Sequence, residues 1–148
     1  MFDNFLVKEN SLQNVEKDGK VTGFKFDVRI AEYRGCFLSL HNGYYIDLDG
    51  EEYPRSLQKF EINGKPPRDF DEIAKAVWEH WDYGDYGTVY VDKPGGLEKG
   101  HHKLGIMQGV LVQYGWQPHD QEWIDNPPDP RDMPFKQTEV YYYDMVVE

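Results

Sequence analysis

The chain has a single cysteine, Cys36, among its 148 residues. One cysteine cannot form an intrachain disulfide, which excludes a disulfide-stabilised scaffold and favours a reducing compartment. Cys36 lies in an apolar run with Phe37 and Leu38, so we interpret it as a small buried hydrophobic residue. No apolar stretch is long enough to span a bilayer, and Asp3 and Lys8 interrupt the N-terminal one. We therefore expect a soluble, cytoplasmic protein.

Basic residues are scarce: 16 lysines and arginines stand against 27 aspartates and glutamates, for a formal net charge of −11. Nothing in the sequence offers a basic stripe that could neutralise phosphates, which argues against a nucleic-acid partner. The same charge argues against binding to an anionic membrane surface.

Catalytic motifs are also missing, since no Ser-His-Asp order, glycine-rich phosphate loop or Cys-x-x-Cys pair is present. A cupin metal site needs two histidines one residue apart on one strand face, whereas His101 and His102 are adjacent and would face opposite sides. The best local cluster joins His119 to Asp120 and Glu122, which without a spaced partner is a weak metal signal. We expect no catalytic residue, metal site or cofactor in this chain.

Alternation of apolar and polar residues is the strongest pattern present. From Phe24 to Ile30 the even positions are apolar and the odd positions are charged, as in a β-strand with one buried face. Turn signals recur every ~8–12 residues, a spacing typical of sandwiches and barrels; they are Asp18-Gly19, Asn42-Gly43, Asp49-Gly50 and Asn63-Gly64. We predict a mainly β, single-domain antiparallel sandwich over residues 1–148, immunoglobulin-like or jelly-roll-like.

One short amphipathic helix is predicted near residues 69–81. Asp69 can cap its start, and Glu72 stands where a capping-box acid belongs. The apolar residues fall at a helical period along one stripe; they are Phe70, Ile73, Ala74, Val77, Trp78 and Trp81.

Aromatic residues make up 16% of the chain, with 11 tyrosines and 4 tryptophans. They either fill the two faces of a sandwich or form a contact surface for a partner or a flat, sugar-like ligand. The segment 117–135 holds five prolines, five acids and one base, Arg131. We interpret it as an ordered arm or lid, with a surface Ω-type loop as the alternative.

Six motifs follow one another along the chain: Phe24–Ile30, Tyr33-Arg34-Gly35, Leu38-Ser39, Asp49-Gly50-Glu51-Glu52-Tyr53-Pro54, Lys93-Pro94-Gly95-Gly96-Leu97 and Gly100-His101-His102. In their order and spacing they resemble the small (beta) subunit of bacterial C-glycoside deglycosidases. The likeness covers roughly Met1 to Tyr114. The segment 117–135 looks longer than the family usually carries.

The resemblance implies a β-sandwich subunit that pairs with a larger alpha subunit, a TIM barrel related to sugar-phosphate isomerases. That alpha subunit holds a divalent metal, typically manganese. The complex cleaves the carbon–carbon bond between a 3-oxo-sugar and an aromatic aglycone such as a flavonoid. The metal ligands and the base of the family belong to the alpha subunit, so the resemblance assigns no catalytic residue to this chain.

Candidate contacts with the partner or the aglycone are aromatic and arginine side chains: Tyr33, Arg34, Trp116, Trp123 and Phe135. Arg34 could instead form a corner salt bridge, and Trp116 could instead plug the core. Two other functions stay open on the residues alone. One is a free-standing carbohydrate- or glycoside-binding sandwich that uses aromatic platforms, and the other is a cupin-like metalloenzyme.

Overall fold

The computed structural model describes residues 6–30, 35–110, 122, 125–132 and 140–148. Within these ranges the strands and the helix follow one another along the chain, and their bounds are as follows: β1 Gln13–Lys17, β2 Lys20–Val28, β3 Cys36–Phe37, β4 His41–Leu48, β5 Glu51–Glu52, β6 Gln58–Glu61, β7 Arg68–Asp69, α1 Phe70–Ile73, β8 His80–Trp81, β9 Gly87–Asp92, β10 Gly100–Val110 and β11 Tyr141–Val147. Short 3-10 turns cover Leu38–Leu40, Arg55–Leu57 and Pro130–Asp132.

The strands form two main antiparallel sheets, ordered β1-β2-β9-β6-β7 and β11-β10-β4-β5, and β3 pairs with β8 in a separate ribbon. The predicted alternation in β2 is confirmed, because Phe24, Phe26 and Val28 are fully buried. Facing residues of the second sheet, among them Ile46 and Ile106, complete one apolar core. The prediction of a mainly β, antiparallel sandwich is confirmed. No helix in the described ranges is long and apolar enough to cross a membrane.

Three of the four predicted turns are confirmed by backbone geometry. Asp18-Gly19, Asp49-Gly50 and Asn63-Gly64 all have positive φ at both positions, which Asp, Asn and Gly adopt at low cost. The Asn42-Gly43 turn is wrong, because β4 runs without a break from His41 to Leu48. Gly43, at φ 123°, instead leaves room beside the strand for the Arg55 side chain, whose Cγ would lie 3.1 Å from an added Cβ.

The predicted helix is present but much shorter than residues 69–81. Its start is confirmed, since Asp69 accepts a hydrogen bond from the Glu72 N–H and the Glu72 side chain accepts one from the Asp69 N–H. It ends at Ile73 because Trp81 enters the core from β8, through pairing with Cys36 of β3. The apolar stripe therefore joins two elements, and its middle does not face the core.

Gly87 gives a test of how tightly the sandwich is packed. A Cβ at Gly87 would lie 2.1 Å from Cζ of the buried Phe60 ring, whereas one at Gly105 would meet Tyr142, whose side chain is exposed and can move. We expect Gly87→Ala to lower the free energy of unfolding by about 1–3 kcal/mol and Gly105→Ala to lower it less. Urea denaturation of both variants measures this, and equal losses would contradict the packing described here.

Candidate functional site

All five site residues predicted from the sequence lie outside the described residues. They are Tyr33, Arg34, Trp116, Trp123 and Phe135. Their role at a partner or aglycone contact therefore stays a prediction. The described chain resumes at Gly35, whose φ of +68° and close approach to the Trp81 carbonyl leave no room for a side chain.

Glu79 holds the connection between α1 and β8 in place. Its carboxylate accepts hydrogen bonds from both terminal nitrogens of Arg68 at 3.0 and 2.8 Å, from Lys65 Nζ at 2.7 Å and from Asn63 Nδ2 at 2.9 Å. The Arg68 hydrogen bonds, with those of Lys65 and Asn63, outweigh burial and lower the pKa of Glu79 to about 2. We call these four residues the Glu79 clamp.

The two residues that precede Glu79 in the sequence point into solvent. Trp78 is 90% exposed and Val77 is 52% exposed, and Phe37 on the neighbouring strand is 44% exposed. Sequence reasoning missed Trp78 as a surface residue because its position fits the apolar stripe of a longer helix. No local signal separates the two cases, because Glu79 would face solvent in such a helix as well.

The backbone holds Phe37 beside the residues that directly follow Val77 and Trp78. The Leu38 N–H donates to the Glu79 carbonyl at 2.7 Å, and Phe37 is paired directly with His80 in the ribbon. The Phe37 and His80 rings meet edge to face, with centroids 5.4 Å apart. We call this exposed group the Trp78 lobe; it comprises Phe37, Val77, Trp78 and His80.

A cavity of about 260 Å³ lies over the middle of β4. Tyr45 and Tyr53 line it from the sheet side, and the described segment 127–130 closes it from above. The Arg131 guanidinium lies 4.0 Å from the centroid of the Tyr45 ring and is held by the Asp129 carboxylate at 2.9 Å. This part of the segment 117–135 thus packs against the sandwich, and the cavity has room for at least one ring.

Arg55 is the cation that lines this cavity. Its Nε donates to the Asn42 carbonyl at 2.8 Å, and its Nη1 donates to Asp71 at 2.8 Å. Its Nη2 is buried, and none of the described residues accepts a hydrogen bond from it. The side chain is therefore positioned by β4 and α1, and its Nη2 is a hydrogen-bond donor without an acceptor among the described residues.

His41 is the most deeply buried histidine of the described chain. Its ring packs edge to face with Phe60, Phe70 and Trp81, and its Nε2 lies 2.7 Å from the Tyr44 hydroxyl. Burial lowers the pKa of His41 to about 3, so the ring is neutral at physiological pH. It acts as a core residue with one polar contact.

In contrast to His41, His102 is held by two hydrogen-bond acceptors. Its Nδ1 lies 2.6 Å from Asp49 Oδ2, and its Nε2 lies 2.6 Å from the Glu98 carbonyl oxygen. Burial lowers the pKa of His102, but the two acceptors outweigh burial and raise it above its usual value. Within the described ranges, no three His, Cys, Asp or Glu side chains are grouped as metal ligands.

The described chain is an antiparallel β-sandwich with an exposed aromatic surface group, the Trp78 lobe. Comparison with known proteins gives the family. The family model for the C-glycoside deglycosidase beta subunit matches residues 2–114. The C-glycoside deglycosidase beta subunit of Eubacterium cellulosolvens is 29% identical over 100 residues, which cover 67% of each chain. The chain therefore belongs to the C-glycoside deglycosidase beta subunit family, as its resemblance to that family predicts.

The Glu79 clamp predicts a specific acid sensitivity. A glutamate whose pKa is lower in the folded state stabilises the fold above its unfolded pKa, and this stabilisation is lost as the pH falls toward 2. We expect the wild type to lose about 3 kcal/mol more of unfolding free energy between pH 6 and pH 2 than Glu79→Gln. Urea titrations at several pH values measure this. The exposed Glu16→Gln is the control, and a Glu79→Gln profile parallel to that of the wild type would contradict the clamp.

The two contrasting histidines can be followed by NMR. We expect the His102 ring resonances to titrate above the pKa of a histidine in an unfolded peptide, and the His41 ring to stay neutral down to about pH 3. Replacing Asp49 by Asn should lower the pKa of His102 and leave His41 unchanged. A His41 ring that protonates near pH 6 would show that water reaches this part of the core.

Proposed function

We propose that this chain is the noncatalytic beta subunit of a heteromeric, cytoplasmic C-glycoside deglycosidase. The complex cleaves the carbon–carbon bond between a 3-oxo-sugar and an aromatic, flavonoid-like aglycone. Its larger alpha subunit is a TIM barrel that carries the catalytic base and a divalent metal, typically manganese. This chain stabilises the barrel subunit and helps to close its active site.

The observation that carries the proposal is the extent of the family match. Residues 2–114 include every strand of the five-stranded sheet and β10, β4 and β5 of the other, so the match covers both sheets except the edge strand β11. The related protein of Eubacterium cellulosolvens is also named a beta subunit, which implies a second subunit in its complex.

The cleavage reaction can proceed with all catalytic groups on the barrel subunit. A ketone at C3 of the sugar makes the C2 proton acidic, and a base removes this proton. A C1–C2 double bond then forms as the C1–aryl bond breaks, and the departing aryl carbon takes up a proton. A metal on the barrel subunit would polarise the ketone. The buried Gln58 of this chain is used in structural contacts: its Oε1 accepts from the Tyr44 N–H, and its Nε2 donates to the Tyr44 and Tyr53 carbonyls.

A free-standing glycoside-binding module is the second candidate. The cavity over β4 favours it, because Tyr45 and Tyr53 line a space for at least one ring and Arg55 supplies a donor. In that case the isolated chain would bind a glycoside without any partner. Tryptophan fluorescence during titration with aryl C-glucosides would detect such binding.

Co-expression tests the proposal directly. The chain is produced alone and together with the TIM-barrel subunit from the same organism, and each preparation is given a 3-oxo-C-glucoside. We expect the aglycone to be released only by the co-expressed pair, and the activity to fall when a chelator removes the metal. Release by the chain alone would refute the noncatalytic assignment, and tight glycoside binding by the chain alone would favour the second candidate.

A further inference from the structure

Trp78 is the most exposed large apolar side chain among the described residues, at 90%. Single exposed apolar residues are ordinary on protein surfaces, but Trp78 follows Val77 and lies two residues before His80, which is paired with Phe37, and Val77 and Phe37 are also about half exposed. Several exposed apolar residues on neighbouring segments are typical of interaction surfaces. Tryptophan is also the residue type most enriched among binding hot spots.

The loop that carries Trp78 is fixed before any partner arrives. On its C-terminal side Glu79 is held by Asn63, Lys65 and Arg68, and its carbonyl accepts the Leu38 N–H. On its N-terminal side the Ala76 N–H donates to the Ile73 carbonyl at 3.0 Å. A fixed loop loses little conformational entropy on binding, so the lobe is preorganised for association.

The acidic residues around Trp78 limit the kind of partner that the lobe can bind. Residues 71–85 hold five acids and one lysine, and Asp71, Glu72, Asp82 and Asp85 are exposed. The whole chain has a net charge of −11, so two copies that met through this acidic lobe would repel each other. The complementary surface is an apolar pocket with lysine or arginine at its rim.

We propose that the Trp78 lobe is the anchor through which this chain docks on the second subunit of the deglycosidase complex. The inference rests on the proposed function, which requires such a subunit. Trp78 by itself would bury roughly 200 Å², about a quarter of what one partner contributes to a stable interface of standard size. The lobe thus supplies the hot spot and leaves the remaining contact area to the surrounding surface.

The test compares Trp78→Ala with Tyr142→Ala in complexes with the TIM-barrel subunit from the same organism. Tyr142 is a matched control, because it is a 55% exposed aromatic residue on β11 of the four-stranded sheet, away from the β3-β8 ribbon. We expect Trp78→Ala to weaken association roughly thirtyfold or more, Trp78→Phe to weaken it less, and Tyr142→Ala to leave it near the wild-type value. Mass photometry on dilution gives the dissociation constants, and thermal melts of each variant alone show that it is folded.

The outcomes separate the two proposals. Trp78→Ala that binds as tightly as the wild type would overturn the docking surface and leave the proposed function intact. A complex that assembles through Trp78 but releases no aglycone from a 3-oxo-C-glucoside would support the docking surface and refute the deglycosidase function. A wild-type chain that forms a dimer by itself, which Trp78→Ala converts to a monomer, would also overturn the docking surface, because the lobe would then bind a second copy.

Discussion

The burial of Trp81 decides the shape of the surface that we interpret as functional. Its ring lies 5.0 Å, centroid to centroid, from both His41 and Phe60, and its Nε1–H donates to the Asp85 carbonyl at 2.9 Å. An indole of this size contributes several kcal/mol when it is fully buried. To place it there, the chain must leave α1 at Ile73 and run as a strand beside β3. Val77 and Trp78 are turned outward as a direct consequence.

Much of the fold could be predicted because its determinants are local. The capping box of Asp69 and Glu72 acts within three residues, and the positive-φ turns need only the residues that form them. The alternation in β2 is also local, since each side chain faces the core or the solvent by the pleat alone. The capping box, three of the four turns and the alternation in β2 are confirmed.

The predictions that are wrong concern residues whose tertiary contacts outweigh their local conformational preference. Asn42-Gly43 has the composition of a hairpin turn, but Arg55 lies across Gly43 and donates to the Asn42 carbonyl, and β10 pairs with the strand on both sides of Gly43. The stripe from Phe70 to Trp81 has a helical period, yet its two ends are buried by different elements. Periodicity identifies which residues are apolar without stating which neighbour buries them.

From the sequence, the type of residue at the candidate site could be predicted, but its position in the chain could not. The high content of aromatic residues predicts either a contact surface, which stays a prediction, or a core filled by aromatic side chains, which is realised in Phe24, Phe26 and Phe60. Trp78 and Trp81 differ by three positions and have opposite roles, and only the pairing of β8 with β3 separates them.

The Glu79 clamp links the burial of Trp81 to the exposure of Trp78. A carboxylate that is 13% exposed is stable only with its three donors, so the loop has one strongly favoured position. The same fold that buries one tryptophan therefore holds the other in solvent at a fixed place. A protein that needed only a stable sandwich would gain nothing from an exposed, immobilised indole, whereas a subunit of a larger complex gains an anchor that is ordered before it binds.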